Sequence, residues 1–163
     1  MNGGGTKVLR TVLTLFLMGF CLNCASQKPN FSGTWELNHS ESQLQIPPPA
    51  STVFLIEHKE PDFILTRTHF YEEESDTWSI HLTTDGNEVI QEDGNEKFVG
   101  RLFWEGNELV FSSEIFVRNR RATNIVTYSL SQDGRILTAT ENFRGPVVEY
   151  ENIWVFVKKD NKI

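Results

Sequence analysis

From Ser51 to the C-terminus the chain is a succession of short runs in which apolar and polar residues alternate, rich in Val, Ile, Phe, Thr, Tyr and Trp. The runs are punctuated by Asp85-Gly86, Asp93-Gly94, Gly106-Asn107, Asp133-Gly134 and Gly145-Pro146, dipeptides of the kind that turn one strand back on another. No window sustains a helical period. The one long connection, Ser40 to Ser51 with Pro47-Pro48-Pro49, has room for a turn of helix before its prolines.

Tight turns fix register, and register decides which residues share a face. A loop over Lys59–Asp62 sets His58 opposite Phe63, and that face runs on through Leu65, Arg67, His69 and Tyr71. Trp78, Ile80 and Leu82 form the next apolar face. The Asp85-Gly86 turn is expected to pair Leu82 with Val89, and Asp93-Gly94 to pair Val89 with Phe98, followed by Gly100, Leu102 and Trp104. Gly106-Asn107 pairs Trp104 with Leu109, leading to Phe111, Ser113, Ile115 and Val117. A four-residue loop over Asn119–Ala122 brings Asn124, Val126, Tyr128 and Leu130 onto the same face. Asp133-Gly134 pairs Leu130 with Leu137, Gly145-Pro146 pairs Phe143 with Val148, and Tyr150, Asn152, Trp154 and Phe156 complete the set.

Counted with Phe31–Asn38 at the front, this makes about ten strands joined by hairpins. A meander of that length removes its unpaired edges by closing into an up-and-down barrel, so the expected fold is all-β, a single antiparallel barrel of about eight to ten strands. A two-sheet sandwich is the alternative; it needs crossovers, and the chain has only one long connection.

The first strand carries Asn-Phe-Ser-Gly-Thr-Trp, Asn30 to Trp35, a Gly-x-Trp arrangement ahead of a Pro-rich linker. In this the chain resembles the calycins, the group of lipocalins and intracellular fatty-acid-binding proteins, and most of all the bacterial exported lipocalin-like domain proteins, over Asn30 to about Lys159. The resemblance implies that Trp35 packs beneath a cavity at the closed end of the barrel, with Gly33 allowing close approach. The chain departs from those families in having no Thr-Asp-Tyr second motif and no Arg-x-Tyr pair on the last strand, Tyr150 to Val157, which leaves a fatty acid unsupported as the ligand.

The N-terminus reads as a leader rather than as part of the domain. Lys7 and Arg10 precede the apolar run Val12–Leu22, and Cys24, Ala25 and Ser26 supply small residues for cleavage. The run is too short for a bilayer-spanning helix, which needs ~20 residues. Residues 1–25 are therefore expected to direct export, to the periplasm or the exterior, and 26–163 to form the domain. Cys21 and Cys24 are either lost with the leader or, at Cys24, acylated as a lipid anchor, the only membrane attachment expected; the poor match of the preceding residues to a lipoprotein box favours soluble export. With 25 of 163 residues removed, about 138 remain, enough for one core and too few for two. Loss of Lys7 and Arg10 takes the formal charge from -7 to -9, which argues against nucleic acid as a partner. Arg118, Arg120 and Arg121, the one dense basic group, suit a turn tip.

The inward face also holds His58, Arg67, His69, Tyr71, Ser113, Tyr128, Glu141, Tyr150 and Asn152. Buried polar groups without partners cost ~1–3 kcal/mol each, so the alternatives are a polar-lined cavity or rim positions in contact with water, with Arg67 and Glu141 neutralising each other. His58 and His69 fall roughly 20 Å apart along the sheet and cannot share an ion, so neither metal nor other cofactor is expected. No Gly-x-Ser-x-Gly elbow and no cysteine of the mature chain offers a nucleophile. On the outward face Phe103 beside Val110, Phe116 beside Ile125, and the stripe Ile153, Val155, Val157 would suit a contact surface, a homodimer included. The leading expectation is a non-enzymatic, extracytoplasmic barrel that binds a small apolar or amphipathic molecule, walled by Trp78, Trp104, Phe111 and Tyr128 and anchored by Arg67 and His69. The alternatives are a filled barrel acting as a structural or interaction module of the cell envelope and, less favoured, a small barrel enzyme.

Overall fold

The computed structural model describes residues 28–160 apart from position 119. The proposed leader, with its cleavage site and Cys24, lies outside the described residues. Alternation of large apolar and polar residues produces ten strands: β1 (Gly33–Leu37), β2 (Ser51–Lys59), β3 (Asp62–Phe70), β4 (Ser75–Thr83), β5 (Val89–Asp93), β6 (Glu96–Glu105), β7 (Glu108–Val117), β8 (Arg120–Leu130), β9 (Ile136–Arg144) and β10 (Glu149–Lys158). All pairings are antiparallel, in the order β4-β3-β2-β1-β10-β9-β8-β7-β6-β5. Successive strands pair with one exception, and β10 returns to β1, so the sheet curls into an up-and-down barrel that is nearly closed. In β2 the buried positions are Thr52, Phe54, Ile56 and His58, each followed by a more exposed neighbour, as a period of two requires.

The exception is between β4 and β5. The Asp85-Gly86 turn forms, but it does not fold β5 back along β4: Val89 pairs with Gly100, not Leu82. The Asp85 carboxylate accepts from Asn87 N at 3.1 Å, and Gly86 N donates to Leu102 O at 2.9 Å, so the turn steers the chain onto β6. Three other turns differ from expectation by an even number of residues. Gly94, at φ 58°, occupies the first position of its turn rather than the second, so Asp93 stays in β5 opposite Glu96 and Phe98 pairs with Gln91. Val117 pairs with Arg120, in place of the four-residue loop over Asn119–Ala122. Phe143 pairs with Tyr150, not Val148. An even shift leaves every side chain on its face, which is why the inward set survives all three changes. The outward pairs are less tolerant: Phe103 does oppose Val110, but Phe116 opposes Arg121, and Ile125 opposes Ser112.

No helix forms in the Pro-rich connection. Instead it continues along β10 where β1 leaves off: Asn38 N donates to Val155 O at 2.7 Å, Gln43 pairs with Ile153, and Gln45 N donates to Asn152 Oδ1 at 2.8 Å. Residues that satisfy an exposed strand edge in this way cannot also turn helical. Leu44 and Ile46 pack on the core from this segment.

Candidate functional site

The barrel has two unlike ends. At one, the side chains of the opening motif form a plug. Phe31 N donates to His58 Nδ1 at 3.2 Å, and Trp35 Nε1 donates to Phe31 O at 2.9 Å. Because Nδ1 accepts, His58 carries its proton on Nε2, which faces Glu60 Oε1 at 3.1 Å. Hydrogen bonds from Thr84, His58 and Trp104 outweigh the desolvation that opposes them and hold the Glu60 carboxyl below the usual range. Trp35 is fully buried, with Lys158 Nζ 5.0 Å from its ring centroid. Gly33, at φ 146°, leaves room for that lysine, since a Cβ there would sit 2.6 Å from Lys158 Cε. Trp104 belongs to this plug and not to the cavity wall: its Nε1 donates to Glu60 Oε1 at 2.9 Å and its ring lies 6.0 Å from Phe31. Trp104 does lie on the face that the register predicts, but at the level of Phe31 and Glu60.

Above the plug lies a cavity of about 90 Å³ lined by Phe54, Leu65, Arg67, His69, Trp78, Phe111, Asn124, Val126, Tyr128, Ala139, Glu141 and Trp154. Five of the six residues singled out from the sequence meet there: Arg67, His69, Trp78, Phe111 and Tyr128. Tyr71, expected to face inward, lies beyond the end of β3 and is 45% exposed. Arg67 does not neutralise Glu141. Its Nη2 donates to Asp76 Oδ2 at 2.8 Å on the neighbouring strand, because β3 and β4 set Arg67 beside Trp78, two residues from Asp76. Glu141 instead accepts from Asn124 Nδ2 at 3.0 Å, Asn152 Nδ2 at 2.9 Å and Trp154 Nε1 at 2.9 Å. Among the described residues two fully buried side-chain atoms have no hydrogen-bond partner, Arg67 Nε and Asn124 Oδ1.

Burial, with the Arg67 charge beside it, pushes the His69 imidazole down to about 4. At neutral pH His69 is uncharged, bonded through Nδ1 to Thr52 Oγ1 at 2.8 Å and stacked 6.0 Å from Trp154. Burial and then the Glu141 charge raise the Tyr128 phenol above its ordinary range, which keeps it a hydrogen-bond donor. The depressed imidazole has a consequence for folding. Between about 6.5, where the unfolded side chain titrates, and about 4, the unfolded state binds more protons than the folded one, so stability falls as pH falls through that window. After discounting for solvent screening at this partly buried position, about 1–2 kcal/mol is at stake. Urea unfolding at neutral pH and near pH 5 should show this loss in the parent and a flatter profile in His69→Gln, which keeps a partner for Thr52.

The wall between β4 and β6 is made of side chains rather than backbone. Trp78 meets Phe98 edge-on at 5.9 Å, and Phe98 stacks on Phe111 at 6.2 Å. Gly100 makes room for those rings: a Cβ there would lie 2.7 Å from Phe98 and 3.1 Å from Phe111. Alternation predicts the inward face for Phe98 and Gly100, but their part in closing a seam depends on β4 and β5 failing to pair. Among the described residues no three His, Cys, Asp or Glu side chains are grouped to hold a metal ion.

No family model and no curated protein matches the sequence. Solved structures do share the fold. A secretory abundant heat-soluble protein from Ramazzottius varieornatus superposes with a TM-score of 0.57 at 14% identity, over 78% of this chain and 94% of that one. Zebrafish ileal bile acid-binding protein complexed with cholic acid gives 0.52 at 20% identity, over 79% and 98%. Human cRBP IV gives 0.51 at 15%, over 80% and 99%. The fold is that of the calycin-type barrels.

Proposed function

We propose that the protein is a non-enzymatic binding barrel that takes a small amphipathic or aromatic molecule into its interior after export across the membrane. The observation that carries this is the composition of the interior cavity, lined from seven of the ten strands: apolar walls from Phe54, Leu65, Phe111 and Trp154, with Arg67, His69, Asn124, Tyr128 and Glu141 converging on it. Mostly apolar pockets with a few placed polar groups are the usual form of small-molecule sites. The bile acid-binding neighbour supports the reading. Export rests on the sequence of the leader.

A filled barrel serving as an interaction module is the second reading, and the volume favours it: about 90 Å³ is well under the ~300–1,000 Å³ typical of ligand pockets. The unsatisfied Arg67 Nε and Asn124 Oδ1 weigh against it, since a purely structural core gains by replacing such groups. The seam reconciles the two. Movement of Trp78 and Phe98, which no β4–β5 ladder restrains, enlarges the cavity without breaking a backbone hydrogen bond of the sheet. Titration of a panel of small aromatic amphiphiles, read by quenching of tryptophan fluorescence, tests the proposal. Ala139→Leu fills the cavity from a position that lines it, and should weaken binding at least ~10-fold while the protein stays folded. Binding that survives the filled cavity, or a panel with no binder, contradicts the reading.

A further inference from the structure

The cavity's polar groups specify the head group of what it binds. This rests on the ligand-binding reading above. Arg67 contributes a charge of +1 that is already paired with Asp76, Glu141 contributes -1, and His69 is neutral at physiological pH. An anionic head group would therefore meet the field of Glu141, and the one cation lining the cavity, Arg67, is already engaged by Asp76 through Nη2. That field reaches Tyr128 and Tyr150 across the cavity, where it exceeds the opposing effect of Arg67, whereas at His69 the Arg67 charge is the stronger of the two.

The unpaired atoms say what is wanted instead. Arg67 Nε is a donor and asks for an acceptor. Asn124 is oriented by its bond to Glu141: Nδ2 must face the Oε1 it serves, because the reversed amide would set oxygen against carboxylate. Its Oδ1 is then an acceptor that asks for a donor. An ammonium group would supply donors only, leaving Arg67 Nε unmet, and the Glu141 oxygens it would seek are held by Asn124, Asn152 and Trp154. A carboxylate would supply acceptors only.

We propose that the cavity selects an uncharged head group that donates and accepts at once, of the carboxamide or lactam kind, bridging Arg67 Nε and Asn124 Oδ1, and that Glu141 disfavours carboxylates. Opening of the aromatic seam brings the ligand to these two atoms, which the closed interior leaves out of reach of water.

The test uses three probes that share one ring system, 2-naphthamide, 2-naphthoate and 2-naphthylmethylamine, titrated calorimetrically into the mature protein and into Glu141→Gln at pH 7.5. The amide is expected to bind the parent protein at least ~10-fold more tightly than the carboxylate or the amine, a discrimination expected of a site that leaves polar groups unpaired with the wrong ligand. Glu141→Gln should narrow the gap between amide and carboxylate. A carboxylate or amine that binds as tightly as the amide overturns the head-group assignment while the binding function stands. If no naphthyl probe binds and other amphiphiles do, the assignment falls alone; if nothing binds, both fall. Should Glu141→Gln fail to fold, the three affinities for the parent protein decide.

Discussion

Trp35→Ala is expected to lower the stability of the domain by about 3–5 kcal/mol, the usual range for removing a large buried aromatic side chain. The indole is 0% exposed, and its loss leaves the Phe31 carbonyl without the donor it now has at 2.9 Å. Lys158, which lies over the ring, has no way to fill the space with apolar atoms alone. The void would open between β1, β2 and β10, since Trp35 pairs with Phe54 on one side and Lys158 on the other. Against a total of ~5–15 kcal/mol for an ordinary domain this is a large loss. Urea denaturation would show a lower midpoint; an unchanged one would mean that Gly33 and Trp35 do not form the plug.

Glu141→Leu is the second large effect, about 3 kcal/mol, and it arises from chemistry rather than volume. Three donors converge on the carboxylate, and each one left without a partner costs ~1–3 kcal/mol, with less than full additivity because they share an acceptor. Asn152 is fully buried and cannot turn to water. Its Oδ1 also accepts from Gln45 N, so the damage passes from the cavity to the Pro-rich connection. Loss of thermal stability in Glu141→Leu should therefore be accompanied by faster amide exchange at Gln43 and Gln45. A Leu variant as stable as its parent, with unchanged exchange, would show that Glu141 does not organise this network.

Most of the architecture was legible because alternation is a robust signal. Leu130 opposite Leu137 and Trp104 opposite Leu109 follow directly from their turns, and the three misplaced turns preserved the inward face because each moved by an even number of residues. What alternation does not report is height along the barrel or partnership across it. Trp104 and Phe111 share a face, yet one lies in the plug and the other lines the cavity, a difference set by Phe31 filling the end of the barrel. Arg67 and Glu141 share the interior, yet Asp76, two residues from Arg67's opposite number on β4, captures the guanidinium. Asp85-Gly86 has the local chemistry of a hairpin turn; the deciding bond, Gly86 N to Leu102 O, is made with a strand further along the chain. The seam at β4 and β5, and with it the proposed route into the cavity, was hidden for the same reason.

The proposed function requires the interior of the barrel to hold a small molecule. Native mass spectrometry of the mature protein, isolated from its own host without denaturation, addresses it most directly. A population carrying one small molecule that is released on collisional activation is expected, and no such population in Ala139→Leu, whose new side chain occupies the cavity. A ligand-free mass alone in the parent protein, or a molecule retained equally by the filled variant, would contradict it.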